Sequence, residues 1–327
     1  MTADGWLPLA GAVGLVVATA VLLAVFWEHW RPAARAGVAV VAVLSLATAA
    51  AVQLNRLSEA IPGSAPGARD AAYASTGSQI LQLQVAGPAS GLTLTMYVYL
   101  PAAYRTGRMR FPVVEALDGY PGSPASWLRT LKVRATLDRE IAAGRMAPTV
   151  VLFPYQTTQR LLDTECTDLV GGPAMDTFLT ADVPAYAKAH LRVRDDRAGW
   201  GLVGYSAGGF CAVNLALRHP AEYAAAASLS GYSSPGIRIG DGTENTLNNP
   251  GWRLRHLPQP DLALWLGWAS DDNATRRASL LMAGLARRPM AVTKAVVAHG
   301  GHSGAVWRQM EAPAFDWLAS HLARPLP

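Results

Sequence analysis

Cysteine is scarce in this 327-residue chain: Cys166 and Cys211 are the only two. Two thiols 45 positions apart match no zinc-ligand spacing, so a cysteine-built metal site is excluded, and neither metal nor cofactor is expected. Charge is also sparse, at 16% of residues, and the net charge of +5 comes from scattered arginines rather than a basic block. That distribution argues against nucleic-acid binding. No internal repeat is present, which excludes solenoid architectures. The first five residues contain no Lys or Arg before the apolar run begins, unlike the basic start of a cleaved secretory signal.

Apolar residues, by contrast, are abundant, at 51% with a mean hydropathy of +0.17. The excess lies at the N-terminus. Residues 6–27 are uncharged and long enough to cross the roughly 30 Å hydrocarbon layer, and residues 36–54 form a second uncharged run. They predict a transmembrane helical hairpin over residues 1–54, with Trp6, Trp27 and Trp30 as interfacial anchors. Arg31 and Arg35 in the connecting loop favour a loop inside and both ends outside. The expectation is therefore a multi-pass membrane protein with its main domain extracytoplasmic. Residues 55–77, rich in Ala, Gly, Ser and Pro, read as a tether, and residues 78–327 as one domain.

Within that domain, residues 79–85 and 92–100 alternate polar and apolar positions around Gly87-Pro88, predicting an edge hairpin. Short apolar runs at 111–117, 149–153, 198–203, 225–229, 262–268 and 292–298 suit strands buried on both faces. Helical spacing appears at 126–143, 176–190, 209–218, 274–286 and 308–321. This alternation predicts an α/β fold with a mostly parallel central sheet, whose chemistry belongs at the carboxyl ends of the strands.

One strand end carries Gly204-Tyr205-Ser206-Ala207-Gly208, a Gly-x-Ser-x-Gly pentapeptide between an apolar strand and a helix. In that context the small flanking residues permit a sharp turn that exposes a serine hydroxyl, which makes Ser206 the candidate nucleophile. Asp271-Asp272 follows the 262–268 run, and His299-Gly300-Gly301-His302 follows the 292–298 run. Ser, Asp and His thus occur in the order of the α/β-hydrolase triad. His302, behind two glycines that allow its loop to swing, is preferred to His299 as the base, and Asp272 to Asp271 as the acid. An oxyanion site needs two backbone N–H groups. Ala207 supplies one, and Tyr120 supplies the other from the Asp118-Gly119-Tyr120-Pro121 loop, since Pro121 has none. Asp118 either faces the substrate or caps its turn.

Leu117-Asp118-Gly119-Tyr120, Gly204-Tyr205-Ser206-Ala207-Gly208-Gly209, Arg218-His219-Pro220 and Gly300-Gly301-His302-Ser303 together resemble the putative-esterase family of α/β-hydrolases, which includes esterase D (S-formylglutathione hydrolase) and the mycolyltransferases. The resemblance implies an α/β-hydrolase fold over most of the chain, with Ser206 as nucleophile, His302 as base, and Tyr120 with Ala207 as oxyanion hole. The Asp-Gly-Tyr loop leans toward the mycolyltransferase branch. Two positions depart from the family pattern: Ala269 stands where a glycine usually precedes the acid, and Gly304 stands where a tryptophan often follows the histidine, leaving Trp307 to match a more distant substrate-side tryptophan.

The expected activity is a membrane-anchored serine esterase acting on a small-molecule, lipid or glycan ester through an acyl-enzyme. Transfer of the acyl group to a sugar or glycan hydroxyl is the first alternative. A hydrolase-fold binding protein without activity is the second. Cys166 and Cys211 either form a disulfide pinning a loop near the nucleophile or remain one loop thiol and one buried thiol. The acidic run from Asp163 to Asp168 reads as a solvated loop, and residues 240–249 as either a lid or a plain loop.

Overall fold

The computed structural model describes residues 77–327. The expected hairpin over 1–54, and all of the 55–77 tether except Gly77, lie outside the described residues. Among the described residues, no helix is long and apolar enough to cross a membrane.

The alternating hairpin forms as expected: β1 (Gln79–Gly87) pairs antiparallel with β2 (Leu92–Leu100). The short apolar runs become β3 (Val113–Leu117), β4 (Val150–Pro154), β5 (Trp200–Tyr205), β6 (Ala225–Leu229), β7 (Ala263–Ala269) and β8 (Ala291–Val297). All eight strands join one sheet in the order β1-β2-β4-β3-β5-β6-β7-β8, antiparallel at β1-β2 and β2-β4 and parallel from β4 to β8. β3, β4, β5 and β6 are buried along their whole length, as apolar strands covered on both faces must be.

Successive side chains of β5 enter opposite cores: Leu202 joins one cluster and Val203 the other. The first core lies beneath α3 (Val183–His190), α4 (Ala207–Arg218), α5 (Pro250–His256) and α6 (Asn273–Leu285), and contains Trp200, Phe210 and Tyr223. The second lies beneath α1 (Ala125–Arg129), α2 (Val133–Ala142) and α7 (Gly304–His321). Trp127 is its centre, with ring centroids 5.1 Å from Tyr205, 6.2 Å from Phe315 and 6.4 Å from Phe153.

Three expectations need correction. The helix expected over 126–143 divides into α1 and α2, because Lys132 adopts a left-handed φ of 59° and this bend lets both Leu131 and Val133 enter the core. The helix expected over 176–190 passes through a π-helical turn, Phe178–Asp182, just before Pro184, which has no N–H for the regular ladder. That turn aims buried Asp182 at the β1-β2 hairpin, where its carboxylate accepts the Ala89 and Ser90 amides, each at 3.0 Å. β8 is not buried on both faces: it is the sheet's edge, with Lys294 exposed and Val296 58% exposed. The polar 240–249 stretch, read as either a lid or a plain loop, runs directly into α5, where Asn249 caps the first turn by accepting the Trp252 amide at 2.9 Å and Pro250 occupies the position where a missing N–H costs nothing.

Candidate active site

Ser206 occupies the junction of β5 and α4 with φ 55° and ψ −122°, a conformation that a residue with a Cβ rarely adopts. Such a strained residue costs on the order of 1–3 kcal/mol and persists only where its surroundings leave no alternative. Here the surroundings are backbone. A Cβ on Gly204 would lie 2.0 Å from the Gly208 carbonyl oxygen, and one on Gly208 would lie 2.2 Å from that of Leu117. The Ser206 amide donates to Leu229 O on β6 at 2.9 Å, anchoring the turn across the sheet. In the first turn of α4 the Gly209 and Phe210 amides donate to Ser206 O at 2.9 and 3.1 Å, whereas those of Ala207 and Gly208 have no carbonyl one turn back to meet.

Asp272 and His302 arrive from the neighbouring strand ends. His302 Nε2 lies 2.8 Å from Ser206 Oγ, and His302 Nδ1 lies 2.7 Å from Asp272 Oδ2. The other carboxylate oxygen of Asp272 accepts the Thr275 amide at 3.3 Å, so the residue caps α6 while it faces the imidazole. Burial pushes the Asp272 carboxyl up, but its hydrogen bonds to Thr275 and His302 outweigh that and hold it below the usual carboxylate range. It is therefore anionic at neutral pH, and the imidazole ring faces an acceptor at one nitrogen and a hydroxyl at the other.

Asp271 does a different job. Its two oxygens accept the Gly301 amide at 3.0 Å and the Gly300 amide at 3.1 Å, and these bonds lower its pKa. Both glycines have positive φ, 129° and 59°, so the histidine loop bends in a way that presents two consecutive amides to one carboxylate. Adjacent aspartates thus hold the loop and the ring respectively. His299, the less favoured histidine, is exposed.

The loop after β3 packs against the serine turn: a Cβ on Gly119 would come within 3.1 Å of Ser206 Cβ. A cleft opens between this loop, the start of α4 and residues 156–166, lined by Asp118, Tyr120, Gln156, Glu165 and Ala207 among others. Asp118 is 6% exposed, lies in the cleft wall and accepts from Gln156 Nε2 at 2.6 Å. Its burial raises the carboxyl to about 7 against that hydrogen bond. The Tyr120 ring leans outward, its hydroxyl donating to Leu161 O at 3.0 Å. Trp307 is not part of the cleft lining; it stacks on Tyr205 with centroids 4.5 Å apart and meets His302 edge-on at 5.2 Å.

Two features depart from the sequence reading. The acidic run is not a solvated loop: Thr164, Glu165, Cys166 and Thr167 are all buried. A disulfide between Cys166 and Cys211 draws them in, with Cα atoms 5.6 Å apart. Burial first, with Asp163 adding to it against the Gly236 amide, raises the Glu165 carboxyl to about 7. The second is Tyr232, just beyond β6, whose phenol is half-buried and is pushed up to about 12 by burial against the opposing influence of Ser206. Its only sequence signal was position, since it follows the strand next to the nucleophile's.

With this geometry in view, the comparisons are consistent. The family described as putative esterase matches residues 88–322, well over half of the chain. The chain belongs to this esterase family. The order and placement of the strands are those of an α/β-hydrolase-like fold. A Corynebacterium glutamicum protein without an assigned activity is 28% identical over 241 residues, covering 68% of this chain and 56% of its own length. A Mycobacterium tuberculosis esterase is 28% identical over 137 residues, covering 42% of this chain and 29% of its own. The chain therefore spans little more than half of the one relative and under a third of the other. Among solved structures, a ferulic acid esterase superposes with a TM-score of 0.66 at 19% identity, covering 76% of this chain and 100% of that one. An S-formylglutathione hydrolase from Agrobacterium tumefaciens gives 0.64 at 14% identity, covering 76% and 97%. These likenesses concern the fold.

Proposed function

We propose that this protein is a serine esterase that works through an acyl-enzyme on Ser206. One observation carries the reading: the unbroken hydrogen-bonded chain from Ser206 Oγ through His302 to Asp272, with links of 2.8 and 2.7 Å. Ser206 Oγ attacks the ester carbonyl and its proton passes to His302 Nε2, while Asp272 keeps the Nδ1–H oriented and balances the imidazolium. The oxyanion is received by the backbone N–H groups of Ala207 and Tyr120. His302 then delivers the proton to the departing alkoxide, and a water activated by the same ring releases the acid.

Transfer to an acceptor alcohol is the second reading, supported by Asp118, Gln156 and Glu165 among the residues lining the cleft, which carry hydrogen-bonding groups for a hydroxyl-bearing acceptor. An inactive binding role fits poorly with a serine held in a strained conformation against a histidine. The protein is further read as anchored by residues 1–54 with the catalytic domain outside the cytoplasm, a placement in which a disulfide is at home.

A fluorophosphonate probe tests the central reading: it labels the wild type and fails to label Ser206→Ala. Folded wild type that stays unlabelled would overturn the assignment. Product partition of an activated ester, with and without glycerol or glucose as acceptor, separates hydrolysis from transfer. An impermeant protease applied to intact cells degrades the domain if it faces outward, and spares it until lysis if it does not.

A further inference from the structure

The 163–168 loop has a backbone that its composition does not favour. Glu165 and Cys166 are consecutive non-glycine residues in the left-handed region, with φ of 40° and 54°. Residues with a Cβ take that conformation only under constraint. Three constraints meet here. The disulfide joins Cys166 to Cys211. Thr164 Oγ1 donates to Gln156 O at 2.6 Å. The Gly236 amide donates to Glu165 Oε2 at 2.8 Å.

Cys211 lies four residues after Ala207, hence on the same side of α4, and both residues line the cleft with Cys166 and Glu165. The covalent link therefore ties the acidic wall of the cleft to the helix that begins just after the nucleophile. Without it, the left-handed bend at 165–166 is free to relax, and burial of the charged loop loses its strongest constraint. Ser206, His302 and Asp272 do not depend on it, because glycine packing, the Leu229 carbonyl and the Asp271 loop contacts hold them.

We propose that the Cys166–Cys211 disulfide is a positioning element of the cleft, holding Glu165 where it selects substrates with hydrogen-bonding hydroxyls beside the scissile ester. The proposal rests on Ser206 being the nucleophile. A carboxyl group whose pKa lies near neutrality both donates and accepts, as a hydroxyl does, so burial of Glu165 suits it to this partner.

The test uses the full-length protein and two acetate esters of matched shape, glycerol 1-acetate and 2-methylbutyl acetate, in which two methyl groups replace the two hydroxyls. The ratio of their kcat/KM values is measured in the oxidised enzyme, after reduction with a phosphine, in the double variant Cys166→Ser/Cys211→Ser, and in Glu165→Met. The phosphine becomes its oxide by taking oxygen from water and leaves two thiols, so no other oxidant or reductant is involved. The oxidised enzyme is expected to prefer the glycerol ester at least about tenfold, through KM. Reduction and the double variant are expected to bring that preference close to one while the fluorophosphonate labelling rate stays within about threefold. Glu165→Met keeps the disulfide and the length of the side chain but removes its hydrogen-bonding head, so it reports on the carboxyl group even if the double variant does not fold, and it is expected to bring the ratio close to one. A ratio near one in the oxidised enzyme, a ratio that survives reduction, or a ratio unchanged in Glu165→Met overturns the proposal. Failure of the oxidised wild type to label with fluorophosphonate would instead sink the Ser206 reading, and the proposal with it.

Discussion

The serine turn and the histidine loop meet at a 2.8 Å contact but are held by opposite means. Ser206 sits in a buried corner where backbone presses on backbone, and the glycines at 204 and 208 leave no room for any other residue. His302 sits on a loop beyond the edge strand β8, its side chain 38% exposed, secured by side-chain contacts: Asp272 on the ring and Asp271 on the two preceding amides. Geometry imposed by close packing has no soft coordinate, whereas geometry imposed by hydrogen bonds at a solvent boundary can relax. The candidate nucleophile is thus rigid and the candidate base is tethered. In the proposed mechanism that base serves the attacking serine, the departing alcohol and a water in turn, and a small freedom of movement is useful to it.

That contrast predicts a graded set of effects. Ser206→Ala should abolish turnover, lowering kcat by roughly 10⁴-fold or more, as removal of a nucleophile does in hydrolases with this triad. Burst and steady-state kinetics on p-nitrophenyl butyrate give the number, and a residual rate within tenfold of wild type would place the chemistry elsewhere. Asp272→Asn preserves an oxygen for capping Thr275 but removes the charge facing the imidazole, so kcat should fall by about 10³- to 10⁴-fold with the circular dichroism spectrum unchanged. Asp271→Asn loosens the loop without touching the ring, and a loss of only about tenfold is expected, since misplacement rather than removal of the base is at issue. If the two aspartate variants lose activity equally, the division between ring-holder and loop-holder is wrong.

The smallest expected effect on catalysis, and a clear one on stability, belongs to Glu311 on α7. Burial raises its carboxyl from an ordinary 4.5 to about 8, against the opposing influence of Arg139 and Thr136. Between those values the folded protein keeps a proton that the unfolded chain releases, so stability falls as pH rises from about 4.5 to about 8 and is level above that. Glu311→Gln removes this contribution. Its melting temperature relative to wild type should be higher at pH 8 than at pH 4.5, with kcat little altered; an equal difference at both values would show that the carboxyl titrates normally.

Much of this was legible in the chain because it depends on local pattern. Strand positions followed from short apolar runs, and the serine turn from a pentapeptide whose glycines are required within five residues of the nucleophile. The order Ser, Asp, His followed from topology, since parallel strands deliver their carboxyl ends to one side of a sheet. What was not legible depends on contacts between distant segments. β8 has an apolar sequence but is the last strand in the order of the sheet, and the break at Lys132 serves the packing of Leu131 and Val133 rather than any local helix signal. Tyr232 comes to the side of the serine turn because β6 lies beside β5.

By itself, then, the sequence determined the succession of strands and helices, the nucleophile turn and the pair of residues competing for the role of acid, all of which arise from periodicity and steric limits within a few residues. Only the tertiary structure separates Asp271, on the Gly300 and Gly301 amides, from Asp272, on the His302 ring, because adjacent carboxylates are alike in sequence and differ only in which groups fold up against them. It also decided the fate of the acidic loop. Composition assigns such a run to water, but a covalent bond to a residue 45 positions away draws it into the cleft wall.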